Sequence, residues 1–327
     1  MAYSSDIVRK ARRQLAEQKA DRESLYQQHL HTAYAQVPRL QQIDLMLRKS
    51  MALAAQAVFT QGGDARQAME QVKQANLALQ QEREALIREH FAPGYLDDSP
   101  LCPHCGGSGY IGSTMCRCLQ ALCAQEQVKE LSLLASDDQR FENFNLNYYS
   151  DRLDGNYGAS PRAIMRLNFD ICRRYAASFS LSSGNLLFIG GTGLGKTFLS
   201  ACIARAAAEK GFSVAYESAP HLMTKLEKNR FNPDDQSRVD CAKLNNCDLL
   251  IIDDLGTELP GNFVTAALYT LVNDRLLSCK PTIVSTNLNV DEIARRYSPQ
   301  IASRFQGSYQ RLTFVGEDIR VLKNRGL

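Results

Sequence analysis

The stretch GGTGLGKT, residues 190–197, decides how the rest of the chain is read. It follows the aliphatic run Asn185–Ile189 and leads into TFLSACIARAAAEK, whose alanine-rich composition favours a helix. A glycine-rich turn between strand and helix lets successive backbone N–H groups close around an anion at the positive end of the helix dipole. Gly190, Gly191, Thr192, Gly193, Leu194 and Gly195 supply that cradle, Lys196 reaches the β and γ phosphate oxygens, and the Thr197 hydroxyl ligates Mg2+. The strand before and the helix after separate this P-loop from a glycine turn that merely fits the pattern. The chemistry it implies is ATP binding with Mg2+.

Working outward, CDLLIIDD at residues 247–254 agrees with it: an aliphatic strand delivers Asp253 to the magnesium, and Asp254 follows where a general base for water stands. TIVSTN, residues 282–287, is a further strand that ends in an amide. In a parallel sheet this sets Asn287 on the carboxyl edge beside the γ-phosphate, able to orient the attacking water. Arg304 and Arg320 remain as candidates to neutralise charge in phosphoryl transfer. The runs 185–189, 214–216, 249–252 and 282–285 read as buried strands with helices between them. That alternation predicts an α/β domain over 141–327, a parallel sheet with helices on both faces.

Composition bounds the rest. The chain has 327 residues, 44% of them hydrophobic and 22% charged, enough for a proper core and more than one domain. No run of eighteen apolar residues occurs, and the N-terminus carries no apolar signal core, so no membrane partner and a cytoplasmic location are expected. A net charge of +3 points to no particular partner, and any nucleic-acid contact must come from a local patch. Ten cysteines are too sparse for a disulfide scaffold. Cys123, Cys172, Cys202, Cys241, Cys247 and Cys279 stand at no ligand spacing and are expected as small apolar fillers.

Residues 1–93 are rich in Gln, Ala, Arg and Glu and nearly free of Gly and Pro until Gly62 and Gly63, a helical composition. Ser4, Ser5 and Asp6 are candidate caps for a first helix. Leu40, Ile43, Leu47, Met51, Ala54 and Val58 follow the three-four spacing of one apolar stripe. Ala65, Met69, Val72, Asn76, Leu79, Arg83 and Leu86 keep heptad spacing with Asn and Arg in the seam. A helical bundle or short antiparallel coil is expected, and two uses for its stripes stay open: packing on one another, or one stripe kept for a partner protein.

Between these regions, residues 94–140 hold CPHCGGSGYIGSTMCRC. Cys102 and Cys105 flank a tight turn that aims two thiolates at one point, and Cys116 and Cys118 can complete a tetrahedron, so a zinc knuckle is expected. The second pair has one spacer where two are usual, which leaves His104 or Cys123 as alternatives for a ligand. Four protein ligands leave no open position, so the Zn2+ is structural.

The order of P-loop, Asp253-Asp254, LYTLVNDRLLSCKPTIVSTNL, SRF and GEDIR resembles the AAA+ ATPases of the bacterial replicative-helicase loader family, the DnaC/DnaI type. The likeness covers residue 141 to the end; the knuckle is similar to the cysteine-bearing region before the ATPase in many members, and the N-terminus to their helicase-binding domain. The resemblance implies an ATPase of slow turnover that assembles on a hexameric DnaB-type replicative DNA helicase through its N-terminal domain and helps place it on single-stranded DNA. It makes Asp253 and Asp254 the Walker B pair, Asn287 sensor 1, Arg304 an arginine finger for a neighbouring subunit, and Arg320 sensor 2. Most AAA+ enzymes have Glu where this chain has Asp254. The chain ends seven residues after Arg320, so a full helical lid is not expected. Zinc would make the knuckle a rigid elbow between helicase-binding and ATPase regions.

Two competing functions share the motifs: a transposition helper ATPase of the IstB type, whose pattern lacks the cysteine knuckle, and a nucleotide-gated adaptor that barely hydrolyses ATP. A last expectation concerns residues 218–231. They read as a short helix with Leu222, Met223 and Leu226 inward and Lys225, Lys228 and Arg230 near its outer side beside Phe231. That face is either a track for single-stranded DNA in the loader assembly or a solvated surface, since Glu227 sits among the cations.

Overall fold

The computed structural model describes residues 3–60, 65–134 and 139–324, with the side chains of residues 51–69, 71 and 131–134 outside the description. The chain divides into two compact units, Arg13–Cys116 and Met1–Arg12 together with Arg117–Leu327. No helix among the described residues is long and apolar enough to cross a membrane.

Three long helices open the chain: α1 (Ser5–Gln36), α2 (Pro38–Thr60) and α3 (Ala65–His90). The Ser4 hydroxyl caps α1 by accepting from the Ile7 amide at 3.3 Å, as the sequence suggests. Along α2 and α3 the polar seam residues find partners. The Ser50 hydroxyl donates to Asn76 at 2.6 Å, and Arg83 donates to Asp44 at 2.8 Å. Arg39 at the start of α2 grips Glu82 near the end of α3. Low numbers on one helix thus meet high numbers on the other, which makes α2 and α3 an antiparallel hairpin. Leu40 and Ile43 are buried and Leu47 half-buried on the expected stripe. Met51, Ala54, Val58, Gly62, Gly63, Ala65 and Met69 lie outside the described residues or side chains.

A two-stranded antiparallel ribbon follows, β1 (Tyr110–Ile111) and β2 (Thr114–Met115), between the cysteine pairs. Helix α4 (Arg117–Leu134) leads to two 3-10 turns, Phe141–Asn143 and Leu146–Tyr148, and then to α5 (Pro161–Ala177). From there strands and helices alternate: β3 (Asn185–Ile189), α6 (Lys196–Glu209), β4 (Val214–Ser218), α7 (Ala219–Phe231), α8 (Asp235–Asn246), β5 (Leu249–Leu255). Then come α9 (Asn262–Leu277), β6 (Thr282–Thr286), α10 (Val290–Arg296), α11 (Pro299–Ser308), β7 (Tyr309–Thr313) and α12 (Ile319–Asn324).

The five strands β3 to β7 form one sheet in the order β4-β5-β6-β3-β7, parallel throughout. Both faces are covered, and the side chains alternate accordingly. Leu186, Phe188, Val214 and Ile251 pack with residues of α5 and α6, while Leu187, Ile189, Ala215 and Ile252 pack with residues of α7, α9 and α11. Burial on both sides is why these strands read as unbroken aliphatic runs. The chain leaves β3 between β6 and β7 and resumes at the far edge with β4, so a topological switch point lies at the carboxyl end of β3, where such sheets bind ligands.

The ribbon β1–β2, one strand of the parallel sheet and one cysteine depart from expectation. Strand β7 is missing from the sequence reading because YQRLT is an edge strand with Gln310 and Arg311 exposed, and it lacks the aliphatic run of its neighbours. Cys279 fills no core: it is exposed just after α9, with φ of +51°, whereas Cys123, Cys172, Cys202, Cys241 and Cys247 are buried.

Candidate nucleotide site

The P-loop runs from the end of β3 into α6. Gly195 stands at the N-cap of α6 with φ of +89°, in the left-handed region, and a Cβ there would lie 2.9 Å from the Tyr149 hydroxyl. Gly193, at φ of +69°, is pressed by the Asp318 carboxylate, which a Cβ would meet at 1.9 Å. The Ile319 amide donates to the Gly193 carbonyl at 3.0 Å, so the segment carrying Arg320 is laid directly on the loop. None of this is written in the P-loop pattern itself.

A cavity of about 350 Å3 opens over the loop. Residues 192–197, Asp254, Asn287 and Arg320 all line it, so the structure brings most of the expected site together. Gly190 and Gly191 line a neighbouring cavity, which Asn287 also borders. Lys196 is buried, with 4% of its surface exposed, and its ammonium donates to the carbonyls of Gly190 at 2.7 Å and Gly191 at 2.6 Å and to Asn287 Oδ1 at 2.6 Å. Burial lowers its pKa, against the pull of Asp254 and Asp253.

The two aspartates differ in setting. Asp253 is 6% exposed and accepts from two hydroxyls, Tyr216 on Oδ2 at 2.9 Å and Ser285 on Oδ1. Burial, then the charge of Asp253, holds the Tyr216 phenol well above its ordinary range, so it remains a donor. Asp254 reaches the cavity, its backbone amide donating to Ser285 Oγ at 2.9 Å. Its φ is +54°, a conformation that Asp and Asn tolerate better than longer side chains. Burial and the neighbouring Asp253 charge raise the Asp254 pKa, with Lys196 and Arg320 opposing.

Arg304 is elsewhere. It donates to Tyr269 Oη at 2.7 Å and to Asn273 Oδ1 at 2.8 Å on α9, with its guanidinium 4.3 Å from the Tyr269 ring centre, and it does not line the cavity. On α7, Leu222 and Met223 are buried as expected, but two of the outer cations are engaged in ion pairs: Lys225 with Glu217 at 2.5 Å and Lys228 with Asp234 at 2.8 Å. Phe231 is 68% exposed and stands 5.4 Å from Phe263, ring centre to ring centre.

The sequence reading missed the opposite wall of the cavity. Gln139, Asn143, Phe144, Asn145, Tyr148 and Phe198 line it, three of them aromatic. Phe144 is fixed by stacking on Phe169 at 5.2 Å. The clue was FENFNLNYY at residues 141–149, aromatic and Asn residues in a non-helical run just before the domain's first helix. No motif marks it.

In the knuckle, the sulfurs of Cys102, Cys105, Cys116 and Cys118 lie within 4.8 Å of one another, and Cys102 Sγ to Cys116 Sγ is 3.8 Å. A tetrahedron with Zn–S bonds of about 2.3 Å has edges of about 3.8 Å, so the donor set fits zinc in type and spacing. The Gly109 amide donates to Cys105 Sγ at 3.3 Å. His104 is exposed and, like Cys123, lies outside the group.

Residues 162–302 match the family described as IstB-like ATP binding protein. Among curated proteins, the chain is similar to the replicative helicase loader DnaC of Escherichia coli (strain K12), 24% identical over 165 residues, 50% of this chain and 64% of that protein. The match therefore spans just under two thirds of that relative's length. A putative insertion sequence ATP-binding protein of Sinorhizobium fredii (strain NBRC 101917 / NGR234) is 34% identical over 98 residues, 30% of this chain and 32% of that protein. Among solved structures, the DnaC helicase loader aligns with a TM-score of 0.44 at 20% identity, over 54% of this chain and 98% of that one.

Proposed function

Because the C-terminal unit carries an IstB/DnaC-type AAA+ domain, we propose that the chain is an ATP-hydrolysing helicase loader, a cytoplasmic protein that binds a hexameric replicative helicase and helps place it on single-stranded DNA. The observation that carries the nucleotide half of this reading is the convergence of Lys196, Asp254, Asn287 and Arg320 on one cavity with an aromatic wall. The loader half is supported by the similarity to DnaC and by the cysteine knuckle ahead of the ATPase domain.

In this reading Phe144 and Tyr148 face the base, and the amides of residues 192–197 hold the phosphates. Lys196 gives up an acceptor to meet the β and γ oxygens, and Arg320 approaches from α12. Mg2+, when bound, would neutralise phosphate charge, held by Thr197 and Asp253. Asp254 accepts a proton from water that Asn287 orients. Arg304 serves a neighbouring subunit, since it lies away from the cavity of its own chain. Zn2+ held by the four cysteines supplies structure in a region of few apolar side chains. On α7, Arg230 and Phe231 are the better candidates for single-stranded DNA, because Lys225 and Lys228 are already paired.

The test is ATP turnover by wild type and Lys196→Ala, with and without single-stranded DNA. Turnover that needs Lys196 supports the reading; equal turnover in the two proteins contradicts it. The family description itself favours one other reading, a transposition helper of the IstB type. Retention of the chain by an immobilised hexameric helicase separates the two.

A further inference from the structure

We propose that Tyr216 is a positioning residue for the divalent cation, fixing the carboxylate of Asp253 relative to Thr197. The inference rests on the nucleotide–Mg2+ reading above and adds a residue that no P-loop motif contains. Tyr216 lies on β4, one strand away from Asp253 on β5. Its hydroxyl donates to Asp253 Oδ2 at 2.9 Å and is 3.0 Å from Ser200 Oγ. Ser200 is three residues past Thr197 on α6, with its hydroxyl also within 3.0 Å of the Thr197 carbonyl. One line of hydroxyls therefore joins the helix that carries Thr197 to the strand that carries Asp253.

The geometry on the carboxylate gives this line a purpose. A carboxylate has about four acceptor directions. Tyr216 takes one on Oδ2 and Ser285 one on Oδ1, which locks the plane of the group and leaves a direction free on each oxygen. A buried tyrosine needs a partner for its hydroxyl, and any carbonyl would serve that need. Here both polar neighbours of the hydroxyl belong to the elements that would hold the cation. Phenylalanine would fill the same core space beside Leu249 and Ile251, so the hydroxyl's contribution can be separated from packing.

The experiment is a Mg2+ titration of the binding of a fluorescent ATP analogue to wild type and Tyr216→Phe, with the analogue's affinity in EDTA and the melting temperature of each protein measured alongside. Removing a group that orients a metal ligand typically costs about 10–100-fold in metal affinity. The half-saturating Mg2+ concentration should rise about tenfold, while affinity in EDTA stays within about twofold. A lowered melting temperature with an unchanged Mg2+ midpoint would make Tyr216 a packing residue and overturn the inference while leaving the nucleotide site standing. Wild type that binds no analogue at any Mg2+ concentration would instead remove the reading beneath it. If Tyr216→Phe does not fold, Ser200→Ala breaks the same line on the α6 side; it should raise the midpoint in the same direction, and an unchanged midpoint there overturns the proposal.

Discussion

The ammonium of Lys196 donates to Asn287 Oδ1 at 2.6 Å, so the P-loop lysine at the start of α6 is already joined to the amide that follows β6, the strand beside β3. This bond fixes where Asn287 points. Asn287→Ala should leave nucleotide affinity within about threefold, because the loop amides and Lys196 remain, and lower turnover about 100–1,000-fold, the scale of losing one aligned polar group in a site. Equilibrium binding and single-turnover hydrolysis on the same preparation check both halves.

Asp254 supplies a prediction about pH. Its folded-state pKa is raised, first by burial and then by Asp253, so the ionised form is the disfavoured one. Stability from this position is fully present below the unfolded value, about 3.9, and is lost as pH rises through the folded value. Asp254→Asn removes that loss and keeps a residue tolerant of φ +54°. The variant should melt with wild type near pH 4 and above it at pH 7, while losing ATP turnover. Thermal melts at the two pH values and a turnover assay decide it.

The knuckle predicts about one equivalent of zinc per chain. Cys102→Ser and Cys105→Ser should each release it and raise proteolytic sensitivity between residues 94 and 140, with ATP affinity unchanged. Elemental analysis and limited proteolysis of the reduced protein read this out. Metal content unaffected by both substitutions would contradict it.

Arg304, held by Tyr269 and Asn273 rather than by its own cavity, should be silent in the isolated chain. Arg304→Ala should bind ATP normally and lose assembly-stimulated hydrolysis. Mixing it with Lys196→Ala should restore part of the activity, since a mixed interface can pair an intact arginine with an intact P-loop. No recovery in mixed assemblies that demonstrably form would count against action between subunits.

How much of this was legible in the sequence follows from range. Strands buried on both faces wrote themselves as aliphatic runs, which located β3, β4, β5 and β6 and therefore the residues at their carboxyl ends. Edge strand β7, solvated on its outer side, left no such run. The P-loop, Asp253 and Asn287 carry local patterns. Tyr216, Ser200 and Ser285 carry none, because they meet only once the strands are paired. Asp318 on Gly193, and the Phe144 wall, likewise depend on chain segments more than forty residues from the loop coming back to it. On α7 the partners of two cations were hidden for a similar reason: Glu217 precedes the helix and Asp234 follows it, and they pair with Lys225 and Lys228.

The most direct test of the account is loading itself. A hexameric replicative helicase is offered closed circular single-stranded DNA, which it cannot thread from an end, and DNA-bound helicase is recovered after gel filtration. The account predicts that this chain with ATP deposits helicase on the circle and that Lys196→Ala does not. Equal recovery of circle-bound helicase with and without the chain would contradict it.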